Sequence, residues 1–102
     1  MPDGLLEDVK AYLHITWEDT NTEINLTGMI NRGMARLQTI AGVPLDFTEE
    51  NNARALLFDY VRYANSQALE IFEENFSRGL TALHIQSLID SEPEIVEEVV
   101  EV

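Results

Sequence analysis

The sequence predicts an all-α fold, a small bundle of three to four helices followed by a flexible acidic C-terminal tail. Three observations predict it. Apolar residues recur at spacings of three and four over most of the chain, which is the period of a helix face. Capping residues, Gly and Pro punctuate that pattern where helices start and stop. The charge is divided unevenly: Asp90 to Val102 holds six acids and no base, whereas the remaining 89 residues hold 13 acids and six bases. Composition therefore changes near Ser91-Glu92-Pro93, and the expected division is a bundle over residues 1–90 and a tail over 91–102.

The first helix is expected from about Asp3 to Leu13, with Leu5, Leu6, Val9, Tyr12 and Leu13 as its apolar face and Asp3 as N-cap. Ile15 and Trp17 then alternate with polar neighbours, so His14–Asp19 reads as an extended connector with both apolar side chains tucked inward. Thr20-Asn21-Thr22-Glu23 fits a capping box and opens the second helix. Leu26, Ile30, Met34, Leu37 and Ile40-Ala41 form its stripe, and Gly42 followed by Pro44 ends it. Gly28 and Gly33 lie inside this helix, where each costs about 1 kcal/mol relative to Ala. They mark either exposed positions or the close approach of another helix or subunit. Val43–Phe47 is a connector with apolar anchors.

Thr48 is expected to cap a third helix of about six turns, reaching Glu74 or Asn75 on the stripe Ala53, Leu56, Leu57, Tyr60, Val61, Ala64, Ala68, Ile71 and Phe72. Phe76 to Ile89 allows a shorter fourth helix with Ser77 as N-cap, although Leu83, Ile85, Ser87 and Ile89 also alternate as in a strand. Beyond Pro93 the chain is β-branched and acidic. The six acids from Asp90 onward disfavour collapse, so the tail is expected to be disordered alone and to order on a partner.

Composition narrows the function. A chain of 102 residues with 45% hydrophobic residues can bury a core. The absence of cysteine excludes disulfides, thiol nucleophiles and cysteine-based metal sites. A net charge of −13 disfavours nucleic-acid reading and anionic membrane surfaces, both of which need Lys and Arg. The N-terminus lacks the basic and apolar runs of a signal peptide, and no apolar run approaches the ~20 residues of a membrane span. The reading is a soluble, intracellular chain.

No catalytic constellation is visible. His14 and His84 are the two histidines, with no H-x-x-x-H spacing, and His14 reads as a helix-end residue. Glu18-Asp19 and Glu73-Glu74 lack a calcium-loop pattern, and no phosphate loop or nucleophile elbow occurs. The expectation is a non-enzyme without cofactor or metal. Arg32 and Arg36 share a helix face, but Lys10, Arg54, Arg62 and Arg78 are scattered, which suits pairing with the many acids better than a DNA-reading surface.

The order of features resembles the head–tail connector family of long-tailed phages of Gram-positive hosts. Leu6, Val9, Lys10, Tyr12, Leu13 and Ile15 match that family's opening pattern L-x-x-V-K-x-Y-L-x-I. Trp17–Ile24 is similar to its acidic stretch before the second helix, Ile40-Ala41-Gly42 to the end of that helix, Ala55–Tyr63 to its long third helix, and Glu74–Leu83 to its closing segment. The likeness covers roughly residues 5–89.

The resemblance implies an adaptor that forms a twelve-fold ring under the portal protein, extends the DNA channel, and offers a docking surface to a stopper or tail-completion protein. DNA would pass without specific binding, the free protein would be a monomer, and the site of action would be the virion head–tail interface after assembly in the host cytoplasm. On that reading Leu83, Leu88, Ile89, Ile95, Val96, Val99 and Val100 are the expected portal contacts. Arg32, Arg36 and Arg62 are expected to pair with acids of the adjacent subunit. Trp17, Glu18, Asp19, Val43, Leu45 and Phe47 are expected to receive the stopper. The alternative from another class is an acidic helical regulatory binder that sequesters a basic partner, as DNA mimics and antitoxins do.

Overall fold

Two long helices, α2 (Thr20–Ala41) and α3 (Asn52–Asn65), form the spine of the protein. The computed structural model describes residues 1–91. Three further helices complete the bundle: α1 (Leu5–Tyr12), α4 (Leu69–Asn75) and α5 (Ser77–Ser91). All five are α-helices, and no strand occurs among the described residues. The segment from Phe76 is therefore helix, with Leu80, Leu83 and Ser87 inward at helical spacing. The expected acidic tail, including Ile95, Val96, Val99 and Val100, lies outside the described residues.

The core is one cluster. Leu5 and Val9 of α1, Leu26, Ile30, Leu37 and Ala41 of α2, Leu56, Leu57, Tyr60 and Val61 of α3, Phe72 of α4, and Leu80 and Leu83 of α5 are all buried in it. Burying one such aliphatic or aromatic side chain is worth roughly 1.5–3 kcal/mol. An aromatic cluster joins α3 to α4: Phe72 meets Tyr60 edge-on at 5.4 Å and Tyr63 at 5.8 Å, and stacks on Phe76 at 5.0 Å.

The two internal glycines of α2 divide between the two readings. A Cβ on Gly33 would lie 2.7 Å from Cδ1 of Tyr60 and 2.8 Å from Cδ1 of Leu57, so this is where α3 presses onto α2. A Cβ on Gly28 would meet only the guanidinium of Arg32 on the same helix.

The expected six-turn third helix is broken. α3 ends at Asn65 in a Schellman motif: Gln67 N–H donates to Ala64 O (3.1 Å) and Ala68 N–H to Tyr63 O (2.9 Å), with Gln67 left-handed at φ 57°. After the break α4 buries Phe72, while Leu69 and Ile71 are exposed. The same motif ends α1, where His14 is left-handed at φ 61°. His14 N–H donates to Ala11 O (3.1 Å) and Ile15 N–H to Lys10 O (2.8 Å). Ile15 then packs on the core, but Trp17 is 56% exposed rather than tucked inward.

Three caps also differ from expectation. Gly4, left-handed at φ 77°, precedes α1 in place of an Asp3 cap. Asp19 caps α2 one residue before the expected Thr20, accepting from Thr22 N–H (3.2 Å) and Thr22 Oγ1 (2.8 Å). Asn51 caps α3 by accepting from Arg54 N–H (2.9 Å), whereas the expected Thr48 is held in a turn by Asp46. Asp and Asn outcompete Thr as caps, and each accepts from the second or third amide of its helix.

Candidate functional site

The expected contact residues fall into three regions, and the bundle treats each differently. The Val43–Phe47 connector is fixed from both sides. Gln38 Oε1 of α2 accepts from Leu45 N–H (2.9 Å), Asn51 Nδ2 donates to Asp46 O (2.9 Å), and Arg54 Nη1 donates to Phe47 O (2.9 Å). Phe47 is 4% exposed and Val43 and Leu45 are half-buried. Phe47 is thus a core anchor of the subunit and offers no surface to a stopper in this fold. Trp17, Glu18 and Asp19 are exposed on the other connector.

On α5, Leu83 is 6% exposed and faces the core, which removes it from the free surface. Leu88 and Ile89 are exposed on the same helix, Ile89 at 61%. The helix is placed by its inward side. Leu56 of α3 lies over Gly79, and His84 Nδ1–H donates to Ile40 O (2.8 Å) in the last turn of α2, satisfying a carbonyl that has no helical partner.

Two of the three arginines expected between subunits pair within the chain. Arg36 makes a two-pronged contact with Glu73 of α4, Nη2 to Oε1 at 2.6 Å and Nε to Oε2 at 3.1 Å. This hydrogen bond holds the Glu73 carboxyl below its usual range and makes Arg36 more basic. Arg62 reaches Asp59 (3.3 Å) and lies over the Tyr63 ring. Asp59 also accepts from Tyr12 Oη (2.8 Å), which raises the tyrosine pKa. Arg32 has no carboxylate partner among the described residues, and neither does Arg78.

Arg54, read from sequence as one scattered base, is buried. Besides Phe47 O it binds Asp8 of α1 (2.6 Å) and Glu50 (3.3 Å), and its guanidinium lies 4.9 Å from the Phe58 ring centroid. Lys10 is also buried, 3.9 Å from Glu23. Both sit where a helix face turns inward, next to apolar neighbours in sequence, and that position was the available signal.

Sequence reading missed two surface features. One is a shallow groove between α1 and the first turns of α2, lined by Leu6, Thr20, Glu23, Ile24 and Thr27, with Ile24 63% exposed. Ile24 lies off the Leu26-Ile30-Met34-Leu37 stripe, and that offset marks it as an outward aliphatic. The other is a shallow groove on the outer side of α5, lined by Ser77, Arg78, Thr81, Ala82 and Ile85, with Ile85 50% exposed.

Chemically, these surfaces offer contact. Among the described residues no three His, Cys, Asp or Glu side chains gather as a metal site, and no helix is long and apolar enough to cross a membrane. Comparison with family models, with curated proteins and with solved structures finds no match for this chain.

Proposed function

We propose that the chain is a structural head–tail connector adaptor of a long-tailed phage, a ring subunit that docks on the portal and receives a stopper or tail-completion protein. The resemblance of Leu6–Ile15 and the segments after it to that family suggests the reading. The observation that carries it furthest is α5. It holds Leu88 and Ile89 exposed and leads directly into a sequence in which Ile95, Val96, Val99 and Val100 alternate with acids. A helix apolar on both sides needs a cover on its outer side as well as its inner one. In this reading these six residues contact the portal, and Trp17, Glu18 and Asp19 receive the stopper. Repetition of an acidic subunit around a ring would build a negative field that lets DNA pass without sticking. The site of action would be the virion head–tail junction.

Mixing the protein with portal rings and imaging by electron microscopy tests this. The expected result is an added ring layer, lost on deletion of residues 92–102 while helicity by circular dichroism is kept. Portal rings left bare by the full chain would sink the reading. A second reading draws on the pairing pattern: of six bases, four are occupied by acids of the same chain, which leaves a predominantly acidic surface. An acidic binder of a basic partner would leave portals bare and hold a basic DNA-binding protein with strongly salt-dependent affinity.

A further inference from the structure

The groove on α1/α2 and the groove on α5 are built alike and charged oppositely. In the first, Ile24 stands between Thr20 and Thr27 at i, i+4, i+7 spacing, with Leu6 behind and Glu23 beside it. In the second, Ile85 follows Ser77, Thr81 and Ala82, with Arg78 at the edge. Each therefore centres on one exposed isoleucine beside small Ser, Thr or Ala side chains, with Leu6 half-buried behind it in the first, a relief into which the ridge of another helix can pack. Charge separates them. Asp19, with Glu18 just ahead of it, flanks the first, where Glu23 is already 3.9 Å from Lys10, whereas Arg78 of the second has no carboxylate partner among the described residues.

The two patches of one copy cannot meet. The first lies on the opening turns of α2, and α5 is anchored at the far end of that helix through His84 and Ile40. Ile24 and Ile40 are about 24 Å apart along the axis at 1.5 Å per residue. Pairing either patch with itself on a second copy brings like charges together. Pairing one with the other satisfies both charge and shape.

We infer that the partner of the outer α5 groove is the α1/α2 groove of a second copy of this chain, in a head-to-tail contact. Such a contact uses two different patches, so it leaves one of each open and propagates into a ring when the rotation closes. The inference rests on the ring reading above and names the surface that would close the ring. Leu88 and Ile89, three and four residues after Ile85, continue the same face of α5 towards its C-terminus.

The native chain has no cysteine, which makes the test direct. Ile24→Cys and Ile85→Cys are prepared separately. Both positions are exposed, so circular dichroism should match the parent. With portal rings present and under mild oxidation, the 1:1 mixture should form the mixed disulfide about tenfold or more faster than either variant forms its own homodimer, through the raised effective concentration of the docked pair. Adding Arg78→Glu to the Ile85→Cys variant should remove most of that advantage. Equal rates for the three pairings, or a faster homodimer, would overturn the inference. The portal experiment reads separately. A ring on the portal that does not trap the 24–85 crosslink keeps the adaptor reading and discards this interface. A fast 24–85 crosslink without portal binding does the reverse.

Discussion

Individual residues in this bundle work against their usual roles, and substitution reveals it. Alanine at either internal glycine of α2 gains helix propensity worth about 1 kcal/mol. At Gly28 only the movable end of Arg32 stands in the way, so Gly28→Ala should raise stability by roughly 0.5–1 kcal/mol. At Gly33 the new methyl would press on Tyr60 and Leu57, both packed in the core, and overpacking costs typically 1–3 kcal/mol. Gly33→Ala should therefore lower stability in urea denaturation while Gly28→Ala raises it. Arg54 is the residue whose loss should cost most among the bases. Arg54→Ala strands Phe47 O, at a cost of about 1–3 kcal/mol, whereas Asp8 and Glu50 are exposed and stay hydrated without it. Arg78→Ala, at an exposed position without an ion-pair partner among the described residues, should change stability by under about 0.5 kcal/mol.

At the scale of elements the decisive feature is the pair of Schellman motifs whose left-handed residue is not glycine. A non-glycine residue in that conformation costs roughly 1–2 kcal/mol, so His14→Gly and Gln67→Gly should each stabilise the fold by up to about 1 kcal/mol, read as a higher urea midpoint with an unchanged slope. The same feature explains what sequence could and could not reveal. The end of α2 was legible because Gly42 sits at its left-handed position. The end of α3 was not, because Gln67 carries no stop signal and the apolar stripe runs on through Ala68, Ile71 and Phe72. Tertiary packing of Phe72 against Tyr60 and Tyr63 decides the break there. Of the candidate site, the outward position of Glu18 and Asp19 was legible from polarity. The burial of Leu83 and Phe47 was not, since an aliphatic or aromatic side chain looks the same in sequence whether it faces a core or a partner.

For the whole molecule, self-repulsion competes with ion pairing. The ion pairs are few and several are half-exposed, and exposed pairs contribute at most about 1 kcal/mol each. Against them stands a net charge of −13. Screening should therefore relieve more repulsion than attraction. Raising the ionic strength from 0.01 M to 0.15 M shortens the Debye length from about 30 to about 8 Å, and the melting temperature should rise with it. The Arg36–Glu73 pair can be isolated through its pH dependence. Because Glu73 titrates below its ordinary value of 4.5 in the fold, its contribution is whole above that pH and is lost as pH falls through the lowered folded value. The stability cost of Glu73→Gln should be under about 1 kcal/mol at pH 7 and should shrink towards zero in acid, measured as the difference between the two urea curves at each pH. Tyr12 has the opposite sign. Its raised pKa keeps its contribution intact below pH 10 and loses it as pH climbs through the folded value.

Trp17, the one tryptophan of the chain, stands 56% exposed on the connector between α1 and α2. The indole is therefore already wet in the folded state. Its fluorescence should shift little when the bundle unfolds in urea, even as the far-ultraviolet signal collapses. It should move strongly to the blue when a partner covers that connector. The protein thus carries its own optical reporter, nearly silent to folding and responsive to docking, and a titration with a candidate partner can be followed without any label.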